Sequence, residues 1–168
     1  MVVPPRTLVN FSGAADEPAW VAVNDDVMGG RSQGEATIAE GHLHFSGTLS
    51  LENNGGFSSV RTTGRPYDLS GATAMMLRVL GDGRTYQIRL ATWARIGRSA
   101  IAYSAAFATT AGQWTEVRIP LATLTPTFRG KTLDGPPLDL TRVEDIRLLI
   151  GDHREGPFAL VVDWIKAG

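Results

Sequence analysis

The sequence predicts an all-β fold: a two-sheet antiparallel β-sandwich of the jelly-roll type, formed as a single domain over residues 1–168. Three observations lead to this prediction. Short runs of strand length recur along the chain, 19 glycines and 9 prolines interrupt it at short intervals, and no apolar stripe at helical spacing extends beyond about ten residues. Many short strands separated by turn residues are typical of sandwiches and barrels.

Seven segments have the chemistry of strands, because they either alternate apolar and polar residues or form a continuous apolar run. The segment 85–93 alternates most cleanly, and it should place one set of side chains in a core and the other outside. The best helical candidates are single turns, near 121–124 and 141–145. The predicted strands, in chain order, cover residues 41–49, 57–63, 72–80, 85–93, 114–119, 146–150 and 158–165.

The same alternation predicts which side chains form the core. Each member is large, apolar and in phase with its neighbours on the strand. The predicted core residues are Tyr86, Ile88, Leu90, Val117, Ile119, Ile146, Leu148 and Ile150. Two joints between strands, Asn54-Gly55 and Gly81-Asp82-Gly83-Arg84, are predicted to form hairpin turns, because they combine glycine with residues that tolerate positive φ.

Composition argues against several functional classes. The formal net charge is −1 and the 16 Lys and Arg residues are scattered along the chain, which argues against binding to nucleic acid or to a membrane surface. No apolar run approaches the roughly 18 residues that a transmembrane helix needs. The chain has no cysteine, so disulfides and thiolate metal sites are excluded. Residues 1–6 resemble no leader peptide, and a cytoplasmic location is predicted.

Two glycine-rich segments, 24–32 and 51–61, carry the sharpest local signals. Each combines turn-forming glycines with carboxylates or amides that can hydrogen-bond to the backbone of a turn. They suit architectural turns, and they also suit two turns that come together around a binding or ion site. At least one of their glycines is expected to have positive φ. The residues singled out are Asn24, Asp25, Asp26, Gly29, Gly30, Glu52, Asn53, Asn54, Gly55 and Gly56.

These segments also resemble a known family. Asp-Val-Met-Gly-Gly-Arg-Ser at 26–32 and Glu-Asn-Asn-Gly-Gly-Phe-Ser-Ser-Val-Arg at 52–61 are similar to the signature of the complex I intermediate-associated protein 30 family. Further similar motifs follow in family order, so that the resemblance covers nearly the whole chain. These motifs are Gly81-Asp82-Gly83-Arg84-x-Tyr86, Trp114-x-x-Val117-x-Ile119-Pro120, Phe128-Arg129-Gly130 and Gly156-Pro157-Phe158.

The resemblance implies a galactose-binding-like jelly roll, similar to carbohydrate-binding modules. It also implies a protein partner and an assembly-factor or chaperone-like role, because eukaryotic members of the family assist the assembly of respiratory complex I in mitochondria. A fold can be transferred from a resemblance more safely than a function.

The sequence predicts no catalytic residues and no cofactor. Of the histidines, only His42 and His44 share a strand face, as paired metal ligands would. Asp25, Asp26 and Glu52 are the carboxylates to consider for glycoside hydrolysis, which needs two carboxyl groups at a defined separation. No nucleophile motif and no nucleotide-binding motif is found. A non-enzymatic domain is therefore favoured, and an enzyme built on these carboxylates is left as an alternative.

Asp163 interrupts the apolar final strand, Val161-Val162-Asp163-Trp164-Ile165. A carboxylate buried there needs a partner or an ion. Jelly-roll carbohydrate modules that resemble this domain often hold a structural calcium ion between their first and last strands. Calcium at Asp163 is therefore a further hypothesis, which loses its reason if this face of the strand is open to solvent.

Arginine and tryptophan residues on strands mark a candidate binding surface. Arg61, Arg89 and Arg118 are in the phase opposite to core residues, and Trp93 and Trp114 share the polar phase of their own strands. Both residue types are frequent anchors of binding surfaces. We predict that one sheet face carries Arg61 and Arg89, with Trp93 or Trp114 nearby, and that this face contacts a protein partner. The alternatives are a carbohydrate ligand and a merely solvated outer face.

Overall fold

In the computed structural model, two antiparallel sheets pack face to face around one apolar core. The structure describes residues 5–12, 17–24, 30–52, 56–128 and 131–168. The predicted all-β jelly-roll sandwich is confirmed. A 3-10 turn at Leu121–Thr123 matches the first predicted helical turn. The second prediction, at 141–145, is wrong, because Val143 instead forms a β-bridge with Tyr67.

The strands range from two residues in β11 to twelve residues in β7 and β13. Their bounds are β1 Arg6–Val9, β2 Trp20–Asn24, β3 Gln33–Ala39, β4 His42–Leu49, β5 Ser58–Thr62, β6 Ala74–Leu80, β7 Thr85–Ile96, β8 Ser99–Ala108, β9 Trp114–Pro120, β10 Thr125–Phe128, β11 Lys131–Thr132, β12 Asp145–Ile150 and β13 Gly156–Ala167.

The sheets differ in size and in strand order. The six-stranded sheet has the order β3-β4-β13-β6-β9, with β1 paired to the C-terminal half of β13. The seven-stranded sheet has the order β11-β10-β8-β7-β12-β5-β2. The two longest strands, β7 and β13, lie inside their sheets, so each carries hydrogen-bonded neighbours on both edges.

The core lies between the inward faces of both sheets, and it confirms most of the predicted core residues. Tyr86, Ile88 and Leu90 of β7 are fully buried, as are their counterparts on β12. Ile119 is also buried. Val117 is only partly buried against this core, because β9 is an edge strand with a neighbour on one side only.

Both predicted hairpins are wrong, because the strands that they join lie in different sheets. β4 pairs with β3 and β13, whereas β5 pairs with β2 and β12, so the chain crosses the sandwich between Leu49 and Ser58. The segment Gly81–Arg84 likewise carries the chain from β6 in one sheet to β7 in the other. Turn chemistry predicts a change of direction, but it does not say which strands pair afterwards.

All seven predicted strands are present, and six strands were not predicted. The largest of these is β8, whose sequence Ser-Ala-Ile-Ala-Tyr-Ser-Ala-Ala-Phe-Ala is rich in alanine. Alanine is depleted in strands, which hides the alternation. β8 nevertheless pairs with β7 over most of its length, because Ile101, Tyr103 and Phe107 are buried.

Candidate binding surface

The outer face of the seven-stranded sheet carries three arginines side by side. Arg61 of β5 lies directly opposite Arg147 of β12, which lies directly opposite Arg89 of β7. The residues before and after each arginine in these strands are buried, so the three side chains share the outward phase. We call Arg61, Arg147 and Arg89 the arginine row. Directly opposed residues on antiparallel strands have Cα atoms about 4.5–5.5 Å apart.

Among the described residues, few carboxylates lie beside the arginine row. Arg147 pairs with Asp145, with 2.6 Å from Nε to Oδ1. Arg89 donates through Nε and a terminal nitrogen to the neutral Oε1 of Gln87, at 3.0 Å and 2.8 Å. Burial, and then the positive charge of Arg147, lower the pKa of Arg89 from its usual value. In the described part of the chain, no carboxylate forms an ion pair with Arg61 or Arg89.

Charge is distributed unevenly between the two sheets. The strands of the seven-stranded sheet contain five basic residues and a single acidic one, Asp145. The strands of the six-stranded sheet contain four basic and three acidic residues. The chain as a whole has a formal net charge of −1. Although the whole chain is nearly neutral, the strands of the seven-stranded sheet therefore carry a net positive charge.

The arginine row continues across the sheet into smaller side chains. Ser104 lies opposite Arg89, and Thr125 lies opposite Ser104. At the other end, Val21 lies opposite Arg61 and is 38% exposed. The resulting outer surface has hydroxyls at one end, guanidinium groups in the middle and an apolar edge.

Trp93 belongs to the same sheet as the arginine row. It lies on β7, four residues beyond Arg89, where the register with β8 shifts. Its side chain is 56% exposed, and its Nε1 donates to Oδ2 of Asp139 at 2.7 Å. Hydrogen bonds from Thr141 and, to a lesser extent, from Trp93 hold the pKa of Asp139 below its usual range. The indole is thus anchored at one edge while most of its surface is open.

Of the five residues singled out for the surface, Arg61, Arg89 and Trp93 lie on the seven-stranded sheet, and the other two lie elsewhere. Trp114 and Arg118 lie on β9, at the edge of the six-stranded sheet. Alternation tells which side chains point away from a core, but it does not tell which sheet a strand joins. Arg147 was missed, although its phase relative to Ile146 and Leu148 follows the same rule that found Arg61 and Arg89.

Trp114 takes part in a separate cluster on the six-stranded sheet. The guanidinium of Arg78 lies 4.4 Å from the centroid of the Trp114 ring, and the ring of His42 lies 5.3 Å from it. Arg78 also donates to Asp163 at 3.0 Å. His42 and His44 share a face as predicted, with ring centroids 6.4 Å apart. Cations and aromatic rings of this kind attract each other, so Arg78 and His42 pack against the Trp114 indole.

Asp163 has protein partners in this cluster. Its carboxylate receives the hydrogen bond from Arg78 and lies 3.4 Å from Nε2 of His42. A register shift between Val162 and Trp164 marks a β-bulge at this position. Among the described residues, no three His, Asp or Glu side chains converge as a metal site. The calcium hypothesis at Asp163 stays a prediction, but the carboxylate already has a cationic partner.

The two glycine-rich segments meet at the edge of the sandwich. The side chain of Asn24 accepts a hydrogen bond from Ser58 at 2.5 Å and donates to the carbonyl of Gly34 at 3.2 Å. Arg31 and Glu52 form an exposed ion pair at 3.4 Å. Gly56 has φ of 139°, which confirms the expected positive φ. Gly30 is buried, whereas the remaining singled-out residues, Asp25, Asp26, Gly29, Asn53, Asn54 and Gly55, lie outside the described residues.

Two other motifs that carry the resemblance are joined by a buried arginine. Arg84 pairs with Asp152 through two hydrogen bonds, of 2.8 Å and 2.5 Å. Its guanidinium also donates to the carbonyls of Gly156, Pro157 and Arg154. The segments 81–86 and 156–158 therefore form one structural unit, far from each other in sequence.

An open cavity of about 650 Å³ lies beside the loop that precedes β12. Its lining includes Tyr103, Leu121, Leu133 and Leu138, and Asp134 is its one carboxylate. Catalysis by paired carboxylates would need two such groups converging. The cavity lining does not supply them.

Two sheets around one core, connected by crossing loops and bearing a charged outer face, define a jelly-roll domain. The chain belongs to the complex I intermediate-associated protein 30 family, whose sequence model matches residues 9–162. A curated relative, the mitochondrial complex I intermediate-associated protein 30 of Mus musculus, is 28% identical over 180 residues. The match covers 95% of this chain and 55% of the mouse protein, so the chain spans about half the length of that relative.

Solved structures similar to this fold include carbohydrate-binding modules. A family 11 module from Clostridium thermocellum, solved with a β-1,3-1,4-mixed-linked tetrasaccharide, has a TM-score of 0.74 and 16% identity, covering 99% of this chain and 96% of the module. A family 30 module of a Clostridium thermocellum cellulase has a TM-score of 0.62 and 15% identity, covering 99% and 98%. At such low identities these similarities establish the fold.

The comparison corrects one prediction about location. The predicted cytoplasmic location is wrong, because the mouse relative is named as a mitochondrial protein. Over the residues that the structure describes, no helix has the length and apolar character to span a bilayer.

Proposed function

We propose that the domain is a non-catalytic binding domain that recognises a protein partner through the outer face of the seven-stranded sheet and acts in the assembly of a larger complex. The observation that carries this proposal is the arginine row, three cations on adjacent strands that share the outward phase of one sheet. Membership of the complex I intermediate-associated protein 30 family supports the assembly role.

The shape of the face favours a macromolecular partner. Arg61, Arg147 and Arg89 are part of a row of six residues that crosses six adjacent strands. At about 4.8 Å between strands, that row is about 24 Å long. A row of this length fits within a standard protein–protein interface, which buries about 800 Å² on each partner.

The chemistry of the described carboxylates favours binding over catalysis. Glu52 is exposed and paired with Arg31, and Asp145 is paired with Arg147. A general acid needs an environment that keeps its proton, and a hydrolytic pair needs a shared substrate cleft. Neither pairing supplies such an environment.

The direct test is to identify and reconstitute the partner. The immobilised domain is used to enrich proteins from mitochondria of the source organism, and each candidate is then purified and mixed with the domain. We expect one candidate to form a complex of fixed stoichiometry, with cross-links that map to β5, β7 and β12. If no purified candidate binds, while neutral glycans do, the protein-partner function is wrong.

A carbohydrate ligand is the second candidate, because Trp93 offers an open indole surface on the same sheet. Aromatic rings of this kind provide contact area for sugars at low entropic cost, and the similar family 11 module was solved with a mixed-linked tetrasaccharide. Affinity electrophoresis in mixed-linked β-glucan tests this function. Retardation of the wild-type domain that is lost in Trp93→Ala, and kept in Trp164→Ala, would favour it.

A further inference from the structure

We infer that the arginine row is a carboxylate-binding site, and that it holds an extended acidic segment of the partner protein. This inference rests on the proposed function and specifies the chemistry of its partner. Three observations carry it: the direct opposition of the three arginines, the shortage of carboxylates around them, and their position on the outer face of the more basic sheet.

Direct opposition of three like charges is unfavourable for the fold itself. Like charges that face each other across strands destabilise a sheet, and here two such pairs adjoin, Arg61 with Arg147 and Arg147 with Arg89. Asp145 compensates a single member. An arrangement that costs stability is expected where it contributes to function. An anion bound between neighbouring guanidinium groups would be attracted to both of them, and this attraction would offset their mutual repulsion.

The geometry of the guanidinium group determines the kind of anion. Arginine presents a planar fork of N–H donors that matches the two oxygens of a carboxylate. The stem of Arg89 is half-buried, and Gln87 holds its fork by two hydrogen bonds. Asp145 engages the same edge of Arg147 through two hydrogen bonds, so a ligand carboxylate would meet the other edge of each group, formed by Nη1 and Nη2. Two of the three guanidinium groups are therefore positioned before a ligand arrives, which lowers the entropic cost of binding.

The spacing of the row suits an extended peptide that crosses the strands. Arg61 and Arg89 are separated by two strand spacings, about 10 Å. An extended chain in the polyproline II conformation advances about 3.1 Å per residue with three residues per turn, so acidic side chains three residues apart lie on one face and match this separation. The hydroxyls of Ser104 and Thr125 beyond Arg89, and the apolar Val21 beyond Arg61, continue the row at both ends.

The test is a titration of the whole domain, labelled with nitrogen-15, with octaglutamate peptide and followed by NMR. Octaglutamine is the uncharged control peptide. Three proteins are compared: the wild type, the double variant Arg61→Gln/Arg89→Gln, and the control variant Arg118→Gln, which removes an exposed arginine from the other sheet. The amide spectra also report whether each variant is folded.

We expect octaglutamate to shift resonances of β5, β7 and β12, including the side-chain Nε–H signals of the arginine row. The double variant should bind at least about tenfold more weakly, whereas Arg118→Gln should bind like the wild type. Equal binding of octaglutamine, or equal binding by the double variant, would overturn the inference. So would binding of polygalacturonate without binding of octaglutamate, because the site would then recognise an acidic polysaccharide.

The reconstituted partner separates this inference from the proposed function. If the purified partner binds the wild type and loses about tenfold in affinity for the double variant, the acidic-segment inference is supported. If the partner binds both proteins equally well, the inference is wrong while the protein-partner function stands. If no protein partner is found, the proposed function fails on its own test, whatever octaglutamate does.

Discussion

Arginine side chains have two roles in this domain, and the groups around each one decide between them. Arg84 is 6% exposed and is surrounded by the carboxylate of Asp152 and three backbone carbonyls. All of its donors therefore face acceptors within the fold. Arg61 is exposed and has no carboxylate partner among the described residues. The first arginine stabilises a junction of two segments, and the second is available to a ligand.

Removing the partner of the buried arginine should be costly. We expect Asp152→Asn to lower the free energy of unfolding by about 3 kcal/mol, because a buried guanidinium loses its counter-charge. The matched control is Glu144→Gln, which breaks the exposed pair with Arg142 and should cost at most about 1 kcal/mol. Urea unfolding of both variants measures the difference. Equal losses would contradict the structural role of Arg84.

The same pair predicts a pH dependence. Burial alone would raise the pKa of Asp152, but the hydrogen bonds and charge of Arg84 outweigh it and hold this pKa below its usual range. A carboxyl group whose pKa is depressed in the folded state stabilises the protein above its unfolded-state pKa, about 3.9. That stability is lost as the pH falls through the folded-state pKa. Unfolding of the wild type should therefore become easier below about pH 4, and Asp152→Asn should show less of this acid sensitivity.

The arginine row should contribute little to stability. We expect Arg89→Met to leave the free energy of unfolding unchanged or to raise it by up to about 1 kcal/mol, because methionine keeps an unbranched stem and removes a repulsive charge. Denaturant unfolding of this variant and of Arg118→Met, on the other sheet, gives the comparison. A loss of more than about 1 kcal/mol in Arg89→Met alone would mean that the row serves the fold.

Sequence reasoning located part of this surface, and the missing part has a physical explanation. Alternation depends on neighbours along one strand, so it correctly placed Arg61 and Arg89 away from the core and would have placed Arg147 there too. Ion pairs such as Arg84 with Asp152 join residues that are 68 positions apart. Such a pair depends on the packing of distant segments, which no local pattern contains.

At the scale of single elements, alternation predicts the wrong buried side chains where a strand is irregular. In β13 the register shifts between Val162 and Trp164, so that Ile165 is buried while Trp164 is only half-buried. A β-bulge adds one residue to a strand and changes the phase of everything after it. Strict alternation along β13 therefore holds up to Val162 and fails beyond it.

The junction of β3 with β5 gives a prediction at the same scale. A Cβ atom at Gly34 would lie 2.0 Å from Oγ of Ser58, a fully buried residue of the opposite sheet. We expect Gly34→Ala to destabilise the domain by about 1–3 kcal/mol, because the inserted methyl group must displace Ser58 and its hydrogen bond to Asn24. The loss should exceed the modest gain that alanine brings by restricting the unfolded chain.

Thermal or urea unfolding checks this prediction, with Thr37→Ala as the control on the same strand. Thr37 is exposed, so its replacement should change stability by no more than about 0.5 kcal/mol. If Gly34→Ala unfolds like the wild type, the two sheets do not approach as closely at this edge as the structure indicates.

At the scale of the whole molecule, strand order decides what each face carries. The fold class followed from strand length and turn spacing alone. The pairing of β7 with β12 and of β12 with β5 joins segments that are far apart in the sequence. This non-local pairing brings the three arginines together and places Trp114 on the other sheet. The sequence gives the order of the charged residues along the chain, whereas a ligand contacts them in the order in which their strands lie in the sheet.

The uneven charge of the two sheets leads to a prediction that separates the two candidate functions. The Debye length falls from about 10 Å at 0.1 M salt to about 3 Å at 1 M, so contacts between the arginine row and an acidic segment should weaken as salt is added. We expect the affinity of the reconstituted partner to fall by at least about tenfold over this range, measured by isothermal titration calorimetry or fluorescence anisotropy. Arg61→Gln/Arg89→Gln should start from a weaker affinity and lose much less of it, because two of the screened charges are already absent.

A neutral glycan bound at Trp93 would instead bind equally well at both salt concentrations, since stacking and hydroxyl hydrogen bonds involve no net charge. An affinity for the protein partner that is independent of salt would place the contact away from the arginine row.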